Sequence, residues 1–215
     1  MDYISFLFVG LVVGVYLTKK YQMNKYAVHI GEQIVNDVLQ LSLSDKCYAL
    51  LSNLTLPIID KDNQNGTSQI DHVLITTRGL FVIETKYYRG SIVASVDSNV
   101  WYQYTHFDKH SFQNPLLQNY SHMKAIESVT GYPTHLMHNV VSFSGNADFK
   151  SERPPGVLNC NELKAYIESF STDVLSINDV YTLAGKLQVH RLSETPETDK
   201  RHIAYLNSKH NKKAA

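Results

Sequence analysis

An α/β domain built on a mixed sheet flanked by helices, preceded by an N-terminal transmembrane helix, is the fold class the sequence predicts. Three observations lead there. Tyr3–Thr18 is a run of 16 residues without a charge. Short apolar, β-branched runs alternate with turn clusters between residues 48 and 144. Stretches at helical spacing lie before, between and after those runs.

As a helix, Tyr3–Thr18 spans about 24 Å at 1.5 Å per residue, against a hydrocarbon core of about 30 Å. Tyr3, Tyr16 and Tyr21 suit the headgroup belt, and Lys19 and Lys20 are placed to snorkel. A cleaved signal peptide carries a basic start and a small-residue cleavage site; Met1-Asp2 is not basic, and no such site follows. A retained anchor over residues 1–20 is therefore expected, with a signal peptide and a buried core helix as the alternatives. The lysines after the run place the rest of the chain in the cytoplasm. Cys47 and Cys160 would stay reduced there. Residues 21–27 read as a juxtamembrane linker.

From residue 28 the pattern turns helical, with Ile30, Ile34, Val38 and Leu41 on one face as far as residue 42. Tyr48–Leu56 reads as a strand, and Asp60–Gly66 as a turn cluster. Ser68–Thr76 and Leu80–Lys86 are two strands around a short turn at Arg78-Gly79. Gly90–Asp97 is a further short strand, and Gln103–Asn114 is polar and irregular. Asn114-Pro115 starts a helix that runs to about Thr130. His138–Ser144 is an apolar strand, Ser151–Pro155 breaks the chain, and Asn161–Phe170 and Ile177–Val189 are helical. The globular domain thus spans 28–190, and 191–215 is a basic helical or disordered tail.

Charge is balanced over the 215 residues, with 20 basic and 20 acidic side chains. The distribution is uneven. Residues 29–190 hold 11 bases against 16 acids, a net −5, while the tail holds six bases against three acids. An acidic body excludes a blanket basic surface and binds phosphate backbones only with help from cations or from the basic ends. Two cysteines exclude a disulfide scaffold and a Cys-only zinc site. No HExxH, P-loop or GxGxxG string occurs, which argues against a zinc hydrolase and against nucleotide-driven work.

The hairpin holds the chemistry. Side chains at i and i+2 share a strand face, so Glu84 and Lys86 point the same way. A two-residue loop at Arg78-Gly79 puts Asp71 opposite Lys86 and Val73 opposite Glu84, and all three charged groups converge. A three-residue loop sends Asp71 to the other face. Two adjacent carboxylates repel when ionised, and a hard cation removes the conflict because carboxylate oxygen is its preferred ligand. Metal there polarises a phosphoryl oxygen and acidifies a bound water. Lys86 beside it orients that water or stabilises developing negative charge. The plainer reading is a surface hairpin with an ordinary acid–base pair.

These residues carry a resemblance. A D…ExK hairpin after a helix bearing Glu resembles the PD-(D/E)xK nuclease superfamily, and the fuller string resembles the nuclease-related domain, NERD. The matching pieces are Gly31-Glu32, Gln69-Ile-Asp-His72, Gly79-Leu-Phe-Val-Ile-Glu-Thr-Lys86, Gly90, Trp101 and Asn114-Pro-Leu-Leu-Gln-Asn119, in family order. The resemblance implies a restriction-endonuclease-like core. It implies Asp71 and Glu84 as ligands of Mg²⁺ or Mn²⁺, with the backbone carbonyl of Thr85 as a further ligand. Lys86 is implied as the catalytic lysine, Glu32 as a further acid and Gln118 as a residue orienting phosphate or water. The QxxxH spacing from Gln118 to His122 resembles the QxxxY helix of RecB-type nucleases, with His in place of Tyr; an exposed helical histidine is the alternative. The superfamily's proline before the aspartate is absent, Ile70 standing there.

The expected function is a membrane-anchored, metal-dependent nuclease acting on nucleic acid, DNA before RNA. A noncatalytic nucleic-acid-binding or assembly module at the cytoplasmic membrane face is the alternative, and a hydrolase of a small nucleotide is a third reading. His72 alternates away from Asp71 toward the opposite sheet face. Trp101 reads as a core or lid residue before a stacking platform. Tyr87-Tyr88-Arg89 is either a solvated strand end or a set of base and phosphate contacts.

Overall fold

The computed structural model describes residues 3–42, 48–59 and 65–214, and the side chains of 3–16, 20–21, 24–25, 42 and 210–214 fall outside that description. In chain order the elements are α1 (Tyr3–Ser42), β1 (Tyr48–Ile59), β2 (Asn65–Thr76), β3 (Gly79–Lys86), β4 (Gly90–Val93), β5 (Val100–Tyr104), β6 (Lys109–Gln113), α2 (Pro115–Thr130), β7 (Met137–Phe143), β8 (Ala147–Phe149), β9 (Val157–Asn159), α3 (Leu163–Ser169), α4 (Ile177–His190) and α5 (Pro196–Ala214).

The strands form two sheets flanked by helices. The larger runs β1-β2-β3-β7-β9, antiparallel across β1, β2 and β3 and parallel across β3, β7 and β9. Strand β3 alternates its apolar residues between two cores. Leu80 and Val82 face Met123 and Ile126 of α2 and Val180 and Leu187 of α4. Phe81 and Ile83 face Val35 and Leu39 of α1 and Leu163 and Ile167 of α3. Burial on both faces explains the near-continuous apolar run in this strand. The smaller sheet, β6-β5-β4-β8, closes a third core around Trp101, Ile92 and Phe143.

The hairpin register differs from the expected one. The turn is Thr77-Arg78, with Thr76 paired to Gly79 and His72 to Ile83. Continuing that register sets Asp71 opposite Glu84, not Lys86. Thr76 closes the turn early by accepting the Arg78 N–H on Oγ1 at 3.1 Å, and Gly79 supplies a φ of 138° that other residues avoid. The shift is two residues, so the alternation of the paired residues from His72 to Thr76 is kept.

A second irregularity frees Asp71. The β1–β2 ladder pairs Ser52 with His72 and Leu54 with Ile70, skipping Asn53 and Asp71. Asn53 there has a φ of 50°, a conformation asparagine tolerates better than most residues. The break flips the alternation, so Leu51 and Leu54 enter the same core although they are three residues apart.

Residues 21–27, expected as a linker, are helical and continue into the segment from residue 28, so α1 runs 40 residues. The membrane helix expected over Tyr3–Thr18 falls mostly on side chains outside the description. Among the described residues no helix is long and apolar enough to cross a membrane. Residues 103–114, expected to be irregular, form most of the β5–β6 hairpin. Only Trp101 and Phe112 of that hairpin turn inward, too few apolar positions to stand out in a polar sequence. The basic tail holds a docked helix. Tyr205 of α5 packs over Gly66 of β2, where a Cβ would meet the ring at 2.4 Å, and His202 Nδ1 lies 2.9 Å from Thr67 Oγ1.

Candidate active site

The acidic end of β3 is assembled from four elements. Glu84 is buried, at 3% exposure, and Lys86 is 17% exposed. The Lys86 ammonium donates to Glu84 Oε1 at 2.6 Å and to Gln118 Oε1 of α2 at 3.1 Å. His122, one turn along α2, has Nε2 3.4 Å from Glu84 Oε2, and its Nδ1 lies 2.7 Å from Ser68 Oγ. Asp71 Oδ2 accepts the backbone N–H of Thr85 at 2.8 Å. That bond ties the two strands where the ladder has stopped.

Helix α2 arrives in register because its start is pinned. Asn114 caps it by accepting from Leu116 N at 2.9 Å, with Pro115 at the first position, where no N–H is needed. Asn119 is fully buried and donates to the carbonyl oxygens of Val82 and Val140 at 2.7 and 3.1 Å. Gln118 and His122 then fall beside Lys86 and Glu84. On the other face, Gly31 lets α1 come close: a Cβ there would sit 2.8 Å from Ser144 Oγ and 2.9 Å from Tyr87 Cβ. Glu32 follows it, half-buried and within electrostatic reach of Glu84 and Lys86.

The electrostatics reflect three acids around one ammonium. Burial raises Glu32 above the usual carboxylate range, His29 opposing and Glu84 adding to the rise. Asp71 is raised further, by burial and by the Glu84 charge, against the Thr85 N–H. Burial alone would raise Glu84 too, but Lys86 and His122 outweigh it and hold Glu84 at about 2. Burial would lower Lys86, and its bond to Glu84 reverses that and raises it. Such a cluster keeps an unneutralised excess of negative charge whenever Asp71 and Glu32 ionise.

Glu84 Oε2 is buried without a hydrogen-bond partner, and oxygen donors of this kind suit a hard divalent cation. Among the described residues no three or more His, Cys, Asp or Glu side chains are gathered as a metal-holding group. Asp71 lies within electrostatic reach of Glu84, so the cluster offers two carboxylates.

All five expected side chains, Glu32, Asp71, Glu84, Lys86 and Gln118, therefore surround the end of β3. Sequence reasoning gave no role to Ser68 or Asn119. Asn119 stood in the quoted string, but only its burial reveals the pin. His122, weighed as an exposed histidine, is buried against Glu84. His72 turns to the α1 side, where its Nδ1 lies 3.1 Å from Ser52 Oγ. Trp101 is fully buried and donates Nε1–H to the Ser95 carbonyl at 2.8 Å. Tyr88 packs between Phe112 and Phe143, while Arg89 stays exposed and donates to the Tyr87 hydroxyl.

Comparisons with known proteins give the chain a family. A Bacillus anthracis protein, named only as uncharacterized protein pXO1-01, is 30% identical over 207 residues, covering 94% of each chain. No solved structure matches the chain. The family model of the nuclease-related domain matches residues 27–144, which run from α1 through β7 and include every residue of the site. The chain belongs to the nuclease-related domain family.

Proposed function

We propose that this protein is a Mg²⁺- or Mn²⁺-dependent nuclease that hydrolyses phosphodiester bonds of nucleic acid, DNA in preference to RNA, with a metal-activated water. The observation that carries the reading is the convergence of Asp71 and Glu84 on one patch with Lys86 and Gln118, inside the span matched by the family. Asp71, Glu84 and the Thr85 carbonyl would hold the metal. When bound, the metal polarises the phosphoryl oxygen and makes its water acidic enough to attack near neutral pH. Lys86 supplies a positive charge for the developing phosphorane oxygens. Gln118 accepts from Lys86 through its oxygen, which leaves its amide N–H groups for a phosphate. Glu32, raised by burial above the usual carboxylate range, is the acid of the cluster suited to exchange a proton with the attacking water.

The uncharged run Tyr3–Thr18 supports a membrane anchor with the nuclease domain on the cytoplasmic face. Fractionation of the full chain and of a chain lacking residues 1–20 checks it: only the full chain should resist alkaline extraction from membranes.

The nuclease reading is tested by incubating the protein with supercoiled DNA, single-stranded DNA and RNA, with Mg²⁺, Mn²⁺ or EDTA. Metal-dependent cutting should disappear in Glu84→Ala and in Lys86→Ala while circular dichroism stays native. Equal activity in both variants would sink the mechanism. A second reading, a noncatalytic nucleic-acid-binding module, draws on the Lys86–Glu84 ion pair, which already neutralises the buried acid. It expects binding without cutting on every substrate, unchanged in Glu84→Ala.

A further inference from the structure

The smaller sheet has an outward face that the site above does not use. Strand β5 alternates: Trp101 is buried, and Tyr102 and Tyr104 lie on the opposite side, 36% and 39% exposed. Cross-strand pairing puts Ser91 and Lys109 beside Tyr104, and Val93 and Ser111 beside Tyr102. The Lys109 ammonium lies 4.3 Å from the centroid of the Tyr102 ring and 5.2 Å from that of Tyr104. In β8, Asp148 pairs with Ser91 and therefore shares this face, and its carboxylate is ion-paired to Lys150.

We propose that this face binds single-stranded nucleic acid, with bases stacked on Tyr102 and Tyr104 and a phosphate met by Lys109. The proposal rests on the nuclease reading for the identity of the polymer and adds the strandedness of the substrate. Three observations carry it. Exposed aromatic rings on a sheet give a sequence-tolerant stacking platform because every base has a π-face. Residues i and i+2 of a strand are about 7 Å apart, twice the roughly 3.4 Å repeat of a stacked duplex strand, so the two rings suit an extended, unstacked chain. The charge is complementary to a polyanion. Lys150 and Asp148 pair with each other and Asp108 turns to His110, so the ammonium set against the two rings is that of Lys109, on a domain body that is net negative.

A second copy of this chain fits less well, because a two-fold contact would place the same lysine-bearing patch on both sides. The face is also close along the chain to the chemistry. Only residues 87–89 separate Lys86, the end of β3, from β4. The Tyr88 backbone in that link packs against Gly145, where a Cβ would lie 2.3 Å from the Tyr88 oxygen. A strand held on β4 and β5 is thereby tethered near the acidic end of β3.

The test measures binding apart from cleavage. Full-length protein in nonionic detergent and EDTA is titrated into a fluorescein-labelled oligothymidylate of about 20 nucleotides, and into a duplex of equal length, with anisotropy as the readout. The single strand should bind tighter than the duplex. Tyr102→Ala with Tyr104→Ala should weaken single-strand binding at least tenfold or so, and the corresponding double Phe variant should bind like the wild type. Lys109→Gln should flatten the slope of log affinity against log salt by about 0.7. A folded double Ala variant that binds like the wild type overturns the proposal. So does a wild-type dimer in light scattering that the double Ala variant converts to monomer, which would make the face a self-association surface. Single-strand binding lost in the double Ala variant, with no cutting by the wild type under Mg²⁺ or Mn²⁺, upholds the face and removes the nuclease reading. Cutting of single strands by the double Ala variant with unchanged kcat and KM does the reverse.

Discussion

The side-chain amide of Asn119 donates to the main-chain carbonyl of Val82 at 2.7 Å, fastening the second turn of α2 to the strand that carries Glu84 and Lys86. The same amide reaches the Val140 carbonyl on the parallel neighbour of that strand. One buried side chain thus sets the height of Gln118 and His122 over the acidic end of β3.

Asn119→Leu removes those donors and leaves two carbonyls without them in the interior. The expected loss is about 2–4 kcal/mol of unfolding free energy, about 1–3 kcal/mol for each unsatisfied group less the gain from an apolar side chain. Urea titration measures it. An unchanged midpoint would mean that α2 is held by its apolar face alone.

Lys86→Met strips a buried carboxylate of its ammonium. Removing one partner of a buried pair costs about 3–5 kcal/mol, somewhat less here because Lys86 is partly exposed. Glu84 should then titrate well above its value of about 2. The double variant Glu84→Gln, Lys86→Met should recover most of the stability and none of the cutting. Thermal unfolding of both variants beside the wild type at neutral pH separates these terms.

His72 gives the fold an acid-sensitive window. Burial lowers it from 6.5 to about 4, the Glu84 charge opposing. Its contribution is complete above pH 6.5, where both the folded and the unfolded forms are neutral. It is lost as pH falls toward 4, because the unfolded chain takes up the proton first. The loss should reach about 3 kcal/mol at 1.36 kcal/mol per pKa unit. Glu84, depressed from 4.5 to about 2, adds a second loss below pH 4.5. Asp71 and Glu32, raised in the fold, gain stability as pH falls and oppose these losses. The His72 share is therefore read as a difference: in urea unfolding between pH 7 and 4 in EDTA, the wild type should lose more stability than His72→Asn does.

Gly31→Val drives a side chain into Ser144 and Tyr87. Helix α1 must move away from the end of β3, carrying Glu32 with it. Cutting should fall by at least tenfold or so, a 1 Å misplacement of a reacting group being worth about a hundredfold. Stability should fall by about 1–3 kcal/mol, the usual cost of overpacking. Paired activity and melting measurements decide whether position or stability dominates.

Much of this site was legible because strand alternation is a strict period. Glu84 and Lys86 on one face needed only the two-residue repeat, whereas Asp71, just past the end of the ladder, is held beside them by the Thr85 N–H. The actual turn depended on the Thr76 hydroxyl and the Gly79 backbone, neither of which carries a periodic signal. The break at Asn53 was hidden for the same reason: a single positive φ reverses the alternation without changing residue types. Helix α2 was bounded correctly because Asn-Pro caps and starts a helix by local chemistry. The β5–β6 hairpin and the docking of α5 were not legible. Each rests on one or two inward residues, Trp101 and Phe112 in one case and Tyr205 in the other, whose partners lie far away in sequence.

The parallel pairing of β3 with β7 has a consequence for how the site comes into being. Gly79–Lys86 has β2 beside it at once, but it finds its parallel neighbour only at Met137–Phe143, with the β4–β6 strands and α2 lying between them in the chain. Non-local pairings of this kind close late, because loop entropy is lost before the contact forms. On the ribosome, Glu84 therefore stays in water, with an ordinary affinity for protons, until residue 143 has emerged. A stalled nascent chain that stops short of β7 carries the ExK sequence but not the buried ion pair that gives it its chemistry.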